Sequence, residues 1–316
     1  MSVRSADGGA HDLAARLPDR LDERFEMYLR MGGRAANSVP ECLTVMEHTM
    51  TARHRAGRGI ASHTRRSLSE RELAVLASVE RYRFLTARQI EDLHSYEHAS
   101  VVTGARSCRR VLERLTRHGL LWRLERRIGG INAGSASYVY TLGTLGYRVL
   151  HGQSRSGRHR EPSVEFLDHT LSVAQLAGDL HRLARSAPVE LIEVEPEPGC
   201  WRTFSNGLAG NQILKPDLSV VLRADEYEYG WFVEIDRATH SAAAVLRKCR
   251  LYQSYWSTGV EQDRNGLFPQ VLLVAPTERR QALLARTLEQ AGQLNVELFA
   301  ITTTDKALAT LVGEAS

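Results

Sequence analysis

The stretch PDLSVVLRADEYEYGWFVEID, residues 216–236, decides how the second half of this chain is read. Within it PDLSVVLR (216–223) and GWFVEID (230–236), rich in β-branched and aromatic residues, read as strands. The run Trp231-Phe232-Val233 is continuously apolar, as a strand buried on both faces requires. Asp217 opens the first strand, and Glu234 and Asp236 end the second. Residues two apart on a strand share a face, so Glu234 and Asp236 point the same way. Three carboxylates gathered at strand ends repel one another unless a hard divalent cation lies between them. The acidic set Asp217, Glu234 and Asp236 is therefore the candidate metal site, with Mg²⁺ or Mn²⁺ as the expected ion. The opposing reading is a structural strand end whose acids pair with Arg237 or Arg247.

Working outward, further strands are expected at VELIEVE (189–195), QVLLVAP (270–276) and VELFAIT (296–302). Helices are expected over 164–186, 241–255, 278–290 and 305–312. The first carries Phe166, Leu167, Leu171, Val173, Leu176, Leu180 and Leu183. The resulting order is α-β-β-β-α-β-α-β-α, which predicts an α/β fold. Glu193 or Glu195 on the first strand could add another acid to the site. Lys248, on the helix with Arg247, Tyr252 and Tyr255, is one of only three lysines in the chain. His169, beside Asp168, reads more readily as a helix-capping or core residue than as a site residue.

The preceding region differs in character. Formal net charge over the chain is only +4, yet residues 51–130 hold 17 arginines against 8 acids. A segment so biased suits nucleic acid, although arginine preference over lysine throughout the chain weakens the inference from arginine alone. Within it, Ser69 and Glu72 form a capping-box pattern before SERELAVLASVERY. Thr86 caps TARQIEDLH, a third helix is expected over 102–118, and Gly119 ends it. Two β-rich runs, LLWRLERRI and SYVYTLG, follow around GGINAGSA, and a helix over 144–151 closes the unit. Three helices and a hairpin in that order predict a winged helix-turn-helix. On the third helix, Cys108, Leu112 and Leu115 share one face, and Arg106, Arg110 and Arg117 lie roughly opposite at about 100° per residue. Arg109 sits at the margin, and Arg126 and Arg127 belong to the wing. A basic face opposite an apolar one is what a helix lying in a major groove needs. Double-stranded DNA is the expected partner, since the RNA major groove is too narrow for it.

The expected organisation is a basic arm over 1–67, with a short helix near 11–31 and no apolar period in 51–66. A winged-helix domain over 68–151 and a linker over 152–163 (GQSRSGRHREPS) follow. An α/β domain fills 164–316. Four scattered cysteines show neither zinc nor disulfide spacing. No apolar run of membrane-spanning length occurs, and no secretory signal pattern opens the chain, so a cytoplasmic protein is expected. A homodimer is compatible with this organisation. There is neither a phosphate-binding G-x-x-x-x-G-K-S/T loop nor a dinucleotide fingerprint.

The α-β-β-β-α-β order with PD and then E-x-D resembles the PD-(D/E)xK phosphodiesterases, whose core is restriction-endonuclease-like. That resemblance implies that Asp217 and Glu234 hold Mg²⁺. Asp236 stands where the family has lysine, and Lys248 on the following helix is the residue that can replace it. The catalytic set so implied is Asp217, Glu234, Asp236 and Lys248. More narrowly, residues 69–275 resemble the replication-relaxation family of actinobacterial plasmids and integrated elements, through DHTLSVAQL, KPDLSVVL, FVEIDRATHS and the Lys248…Tyr252…Tyr255 helix. The family association implies plasmid replication or DNA relaxation, with metal-dependent nicking or cleavage of DNA. The alternative class is a winged-helix transcriptional or replication regulator without catalysis, whose nuclease-like domain serves dimerisation or partner binding.

Overall fold

The central element is strand β9 (Tyr227–Ile235), because it is hydrogen-bonded on both sides and buried on both faces. The computed structural model describes residues 3–5, 59–94, 101–124, 138–152, 162–205 and 210–313. Its main sheet runs β11-β10-β9-β8-β5, where β5 is Val189–Pro196, β8 Leu218–Ala224, β10 Gln270–Ala275 and β11 Phe299–Thr303. Strands β5, β8 and β9 are antiparallel neighbours, whereas β9, β10 and β11 are parallel. Strand β1 (Val3–Ser5) adds antiparallel to the start of β9. All three strands expected around the acidic residues therefore form.

The pleat of β9 sends alternate side chains to different cores. Trp231 and Val233 join one apolar cluster, and Phe232 joins another. The second cluster is built by α6 (Ala242–Trp256), α8 (Glu278–Glu289) and the β6–β7 hairpin (Arg202–Ser205 and Asn211–Leu214). Tyr252 of α6 lies 5.8 Å from the Phe232 ring, and Tyr255 lies 5.0 Å from Phe204. A short helix, α7 (Val260–Asn265), seals this side through Glu261, which is fully buried and paired to Arg202 at 3.1 Å. Helix α7 goes beyond the element order read from sequence, and a 3-10 turn at Val296–Leu298 takes the place of the start of the strand expected over 296–302, which begins at Phe299.

The first cluster is larger. Helix α5 (Val164–Ser186) contributes Val173, Ala174, Leu176, Ala177 and Leu180, and α9 (Ala307–Leu311) contributes Ala307 and Leu311. The same cluster holds Val75, Leu76 and Val79 of α1 (Glu70–Tyr82) and Ile90 and Leu93 of α2 (Ala87–His94). Leu112 and Leu115 of α3 (Val101–Arg117) belong to it too. The helical region and the α/β region thus share one core, with α2 packed on α5. Polar bonds reinforce the join. Gln89 Nε2 donates to Leu171 O at 2.8 Å, Arg81 Nη2 donates to Val194 O at 2.6 Å, and Arg182 pairs with Asp92 at 3.4 Å. This is a closer union than two domains on a linker; most of that linker, 153–161, lies outside the described residues.

The capping box at Ser69 forms in full, with Glu72 N donating to Ser69 Oγ and Ser69 N donating to Glu72 Oε2. Gly119, at φ 69°, turns the chain out of α3 as expected, because a Cβ there is strained. Beside the helices lies a small sheet, β2-β4-β3, made from Leu85–Thr86, Val139–Leu142 and Leu121–Leu124. Helix α4 (Thr144–His151) follows it. Residues 59–67 are helical, with Ala61 buried in the first cluster. That corrects the basic arm for its last part: a helix without an apolar period docks here through buried Ala61 and the Arg65 Nη1 hydrogen bond to Val149 O at 3.0 Å. The helix expected near 11–31 lies outside the described residues. Among the described residues no helix is long and apolar enough to cross a membrane.

Leu180 is fully buried and belongs to the shared core. Leu180→Ala is expected to cost about 2–5 kcal/mol. Both halves should unfold in one transition, so circular dichroism and limited proteolysis at the 152–163 segment should report the same midpoint. Two separated midpoints would show that the halves fold independently.

Candidate functional site

Asp217 and Glu234 meet where β8 begins and β9 ends. The antiparallel register pairs Leu218 with Val233, which places Asp217, one step further, directly across from Glu234. Asp217 N donates to Val233 O at 3.1 Å, and its Oδ2 accepts from Ile235 N at 2.7 Å. One contact fixes the backbone of Asp217 and the other its carboxylate, before any cation is considered. Both acids are buried, at 8% and 7% exposure.

Lys248 of α6 lies between them. Its Nζ bonds Glu234 Oε2 closely and stands 3.9 Å from Asp217 Oδ1. The other Glu234 oxygen, Oε1, accepts from Tyr252 OH at 2.5 Å. Lys248 and Tyr252 are one helical turn apart, so both side chains come off the same face of α6. Ser241 caps that helix through the Ala244 N–H. On the other side, His169 Nε2 of α5 stands 3.3 Å from Asp217 Oδ1.

The charges settle as follows. Burial works to protonate Asp217, but the His169 hydrogen bond, the Lys248 charge and the Ile235 N–H hold it below the ordinary carboxylate value. Burial pushes Glu234 up to about 7; Lys248 pulls against this, and the Asp217 charge adds to it. Burial disfavours the Lys248 charge, yet Glu234 and Asp217 together raise its pKa above the usual lysine value. The hydrogen bond to Asp217 raises His169 against its own burial. Burial and the Glu234 carboxylate keep the Tyr252 phenol firmly protonated.

Asp236 has a different partner. Arg280, near the start of α8, donates through Nε to Oδ2 at 2.6 Å and through Nη2 to Oδ1 at 3.2 Å. Asp236 Oδ1 also accepts from Ala238 N at 3.2 Å, steadying a residue at φ 56°. Its role here is to hold the chain as it leaves the sheet. Arg280 was not foreseen as its partner. The parallel neighbours β9 and β10 bring the start of α8 to the end of β9, and only the strand order reveals that. Arg237 instead pairs with Asp168 at 3.3 Å. Glu195 is taken by Arg81 at 2.5 Å, and Glu193 is exposed. Tyr252 is wholly buried and donates its proton inward, so it is not placed to act as a nucleophile. His169, for which a capping or core role is the favoured expectation and reach to the acids the lesser one, touches the site through Asp217.

Among the described residues no three His, Cys, Asp or Glu side chains are grouped as a metal cage requires. The three-acid cluster expected at Asp217, Glu234 and Asp236 reduces to a pair. A magnesium-like ion needs only one or two carboxylates, filling its shell with water and phosphate oxygens. The Lys248 ammonium already marks a point where one cation is balanced between these two carboxylates. Asp217 and Glu234 are the two residues that could hold such an ion, and the Lys248 ammonium occupies the place between them.

On α3, Cys108, Leu112 and Leu115 are buried and Arg106, Arg109, Arg110 and Arg117 are exposed. Arg117 pairs with Glu113 at 2.9 Å. Arg106, Arg109 and Arg110 make no ion pair among the described residues. Arg126 and Arg127 lie outside them.

These features define a mixed α/β protein with a charge-balanced site at the end of its central strand. The chain belongs to the replication-relaxation family, whose model matches residues 76–271, well over half of the chain. That span runs from α1 into β10, so helical region and sheet belong to the family together. No curated protein and no solved structure gives a significant match.

Glu234 also sets a pH dependence. Its folded-state pKa lies above the ordinary 4.5, so its contribution to stability is present in full below about 4.5 and lost as pH rises through about 7. Glu234→Gln should flatten the stability profile over that window, read as urea midpoints at mildly acidic and mildly alkaline pH. An identical profile in the variant would mean that Glu234 is already ionised throughout.

Proposed function

We propose that this chain is a DNA-binding protein acting in replication or relaxation of a plasmid or other mobile element. On this reading residues 68–151 form a winged helix, and the arginine face of α3 enters the major groove. The α/β region, residues 164–316, is a PD-(D/E)xK-like phosphodiesterase core. The observation that carries it is Lys248, which reaches both Asp217 and Glu234 from α6. It supplies from the helix the cation that E-x-D lacks on the strand. Asp217 and Glu234 would hold Mg²⁺ or Mn²⁺, which when bound supplies a Lewis acid and an activated water. Lys248 orients a phosphate oxygen and neutralises its charge. His169 and the Ile235 N–H keep Asp217 ionised and aimed.

A second reading is favoured by the closure of the site. Both Glu234 oxygens and both Asp236 oxygens already have protein partners. A non-enzymatic replication or transcription regulator with a nuclease-like core has this same arrangement, and its lysine serves only to balance charge.

Supercoiled plasmid incubated with the full chain and Mn²⁺ separates the two. Nicking is expected, and Asp217→Ala or Glu234→Ala should lower its rate by at least about a hundredfold, the scale of losing a transition-state electrostatic contact. Nicking that persists in both variants removes the site from catalysis, and no nicking on any DNA favours the regulator. For the helical region, Arg106→Ala with Arg110→Ala should weaken duplex binding. The slope of log affinity against log salt should become shallower by about 1.8, or about 0.9 per phosphate contact. An unchanged slope would place the DNA surface elsewhere.

A further inference from the structure

Two residues before Asp217 stands Lys215, an exposed lysine with no ion pair among the described residues. Its Nζ lies 4.2 Å from the centre of the Trp201 ring. The register of the β6–β7 hairpin explains this. Arg202 pairs with Leu214, so one step further Trp201 faces Lys215 across the two chains. Both chains are held firmly. Arg202 Nε donates to the buried Glu261 at 3.1 Å, and Arg202 Nη1 donates to Cys200 O at 2.8 Å. The Cys200 thiol donates to Pro216 O at 3.0 Å, between Lys215 and Asp217. An ammonium over an indole is partly dehydrated and keeps its direction. It is thereby spared from folding back onto a nearby carboxylate.

We propose that Lys215 is a DNA phosphate-binding residue at the rim of the Asp217–Glu234 site, and that Trp201 is the residue that positions it. The inference rests on the DNA-binding reading above and adds a contact outside α3. Two residues of extended chain reach at most about 7 Å. A strand lying with one phosphodiester at Asp217 therefore brings a neighbouring phosphate to the Lys215 ammonium. An anion there meets a cation that no carboxylate among the described residues neutralises, in contrast to Lys248, whose charge is balanced inside the site. Lysine suits this role as a flexible point charge. The backbone is its target, so the contact carries no base preference.

The test is duplex binding by the full chain in chelator, with no metal and no cleavage, measured across a salt series. Lys215→Gln should weaken binding about fivefold and reduce the salt slope by about 0.9, the value for one phosphate contact. Lys215→Arg should keep the slope. Trp201→Leu keeps the charge and loses its support, so the slope stays while affinity falls by about twofold, on the scale of an exposed cation–π contact. Thermal melts should leave Lys215→Gln folded with a Tm within a few degrees of the parent, since the lysine is exposed and only its contact with Trp201 is lost. Affinity and slope both at parent values in Lys215→Gln would overturn the proposal, as would a parent protein that binds no DNA. The same series on Arg106→Ala with Arg110→Ala separates the two surfaces. Loss there with no change in Lys215→Gln retires only this inference. The reverse pattern retires the α3 reading and leaves Lys215. Nuclease activity does not enter the measurement.

Discussion

A carboxylate at the end of a buried strand is the constraint around which this protein is organised. Glu234 lies one residue from the end of β9, and the three residues before it, Trp231 to Val233, are buried on both faces. An unpaired ionised group in such a place costs several kcal/mol, so it must be neutralised or bonded. Here it is both. Lys248 and Tyr252 descend on it from α6, while Asp217 brings a second negative charge that His169 helps to balance. The packing of α6 on the sheet, and of α5 on the opposite face, can be understood as bringing those partners into place.

The same arrangement explains why two chemically similar acids differ. Glu234 and Asp236 are two residues apart and share a face by pleat, yet one meets Lys248 and the other Arg280. The bidentate Arg280 fork is the stronger and more rigid of the two partnerships. Asp236 thus steadies the turn out of the sheet. Glu234, paired with a lysine that is also within reach of Asp217, remains the exchangeable member.

The union of the helical region with the sheet follows from α5. A long helix with apolar residues around much of its girth can bury one side on β-strands and another on α2. The arginine face of α3 and the acidic pair are consequently attached to one apolar core, without depending on the segment between them. That gives a physical reason for a family model that spans both regions.

By itself, the sequence determined the local elements and the chemical inventory. Apolar alternation and cap residues placed α1, α3, α5, β8 and β9 nearly where they lie, because those signals act over a few residues. The acids at Asp217 and Glu234 were legible at the strand ends, whereas Lys248 as a candidate cation came only from the family resemblance. Other matters were decided only by the tertiary structure. Which acid meets which cation depends on strand order: β10 beside β9 delivers Arg280 to Asp236, and α5 crossing the sheet delivers His169 to Asp217. Trp201 meets Lys215 only because the β6–β7 hairpin sets that register. Each of these pairs joins residues at least 14 apart in the chain. Neither period nor capping reports on such pairs; the free energy that selects them comes from burying apolar surface and compensating charge across the whole fold.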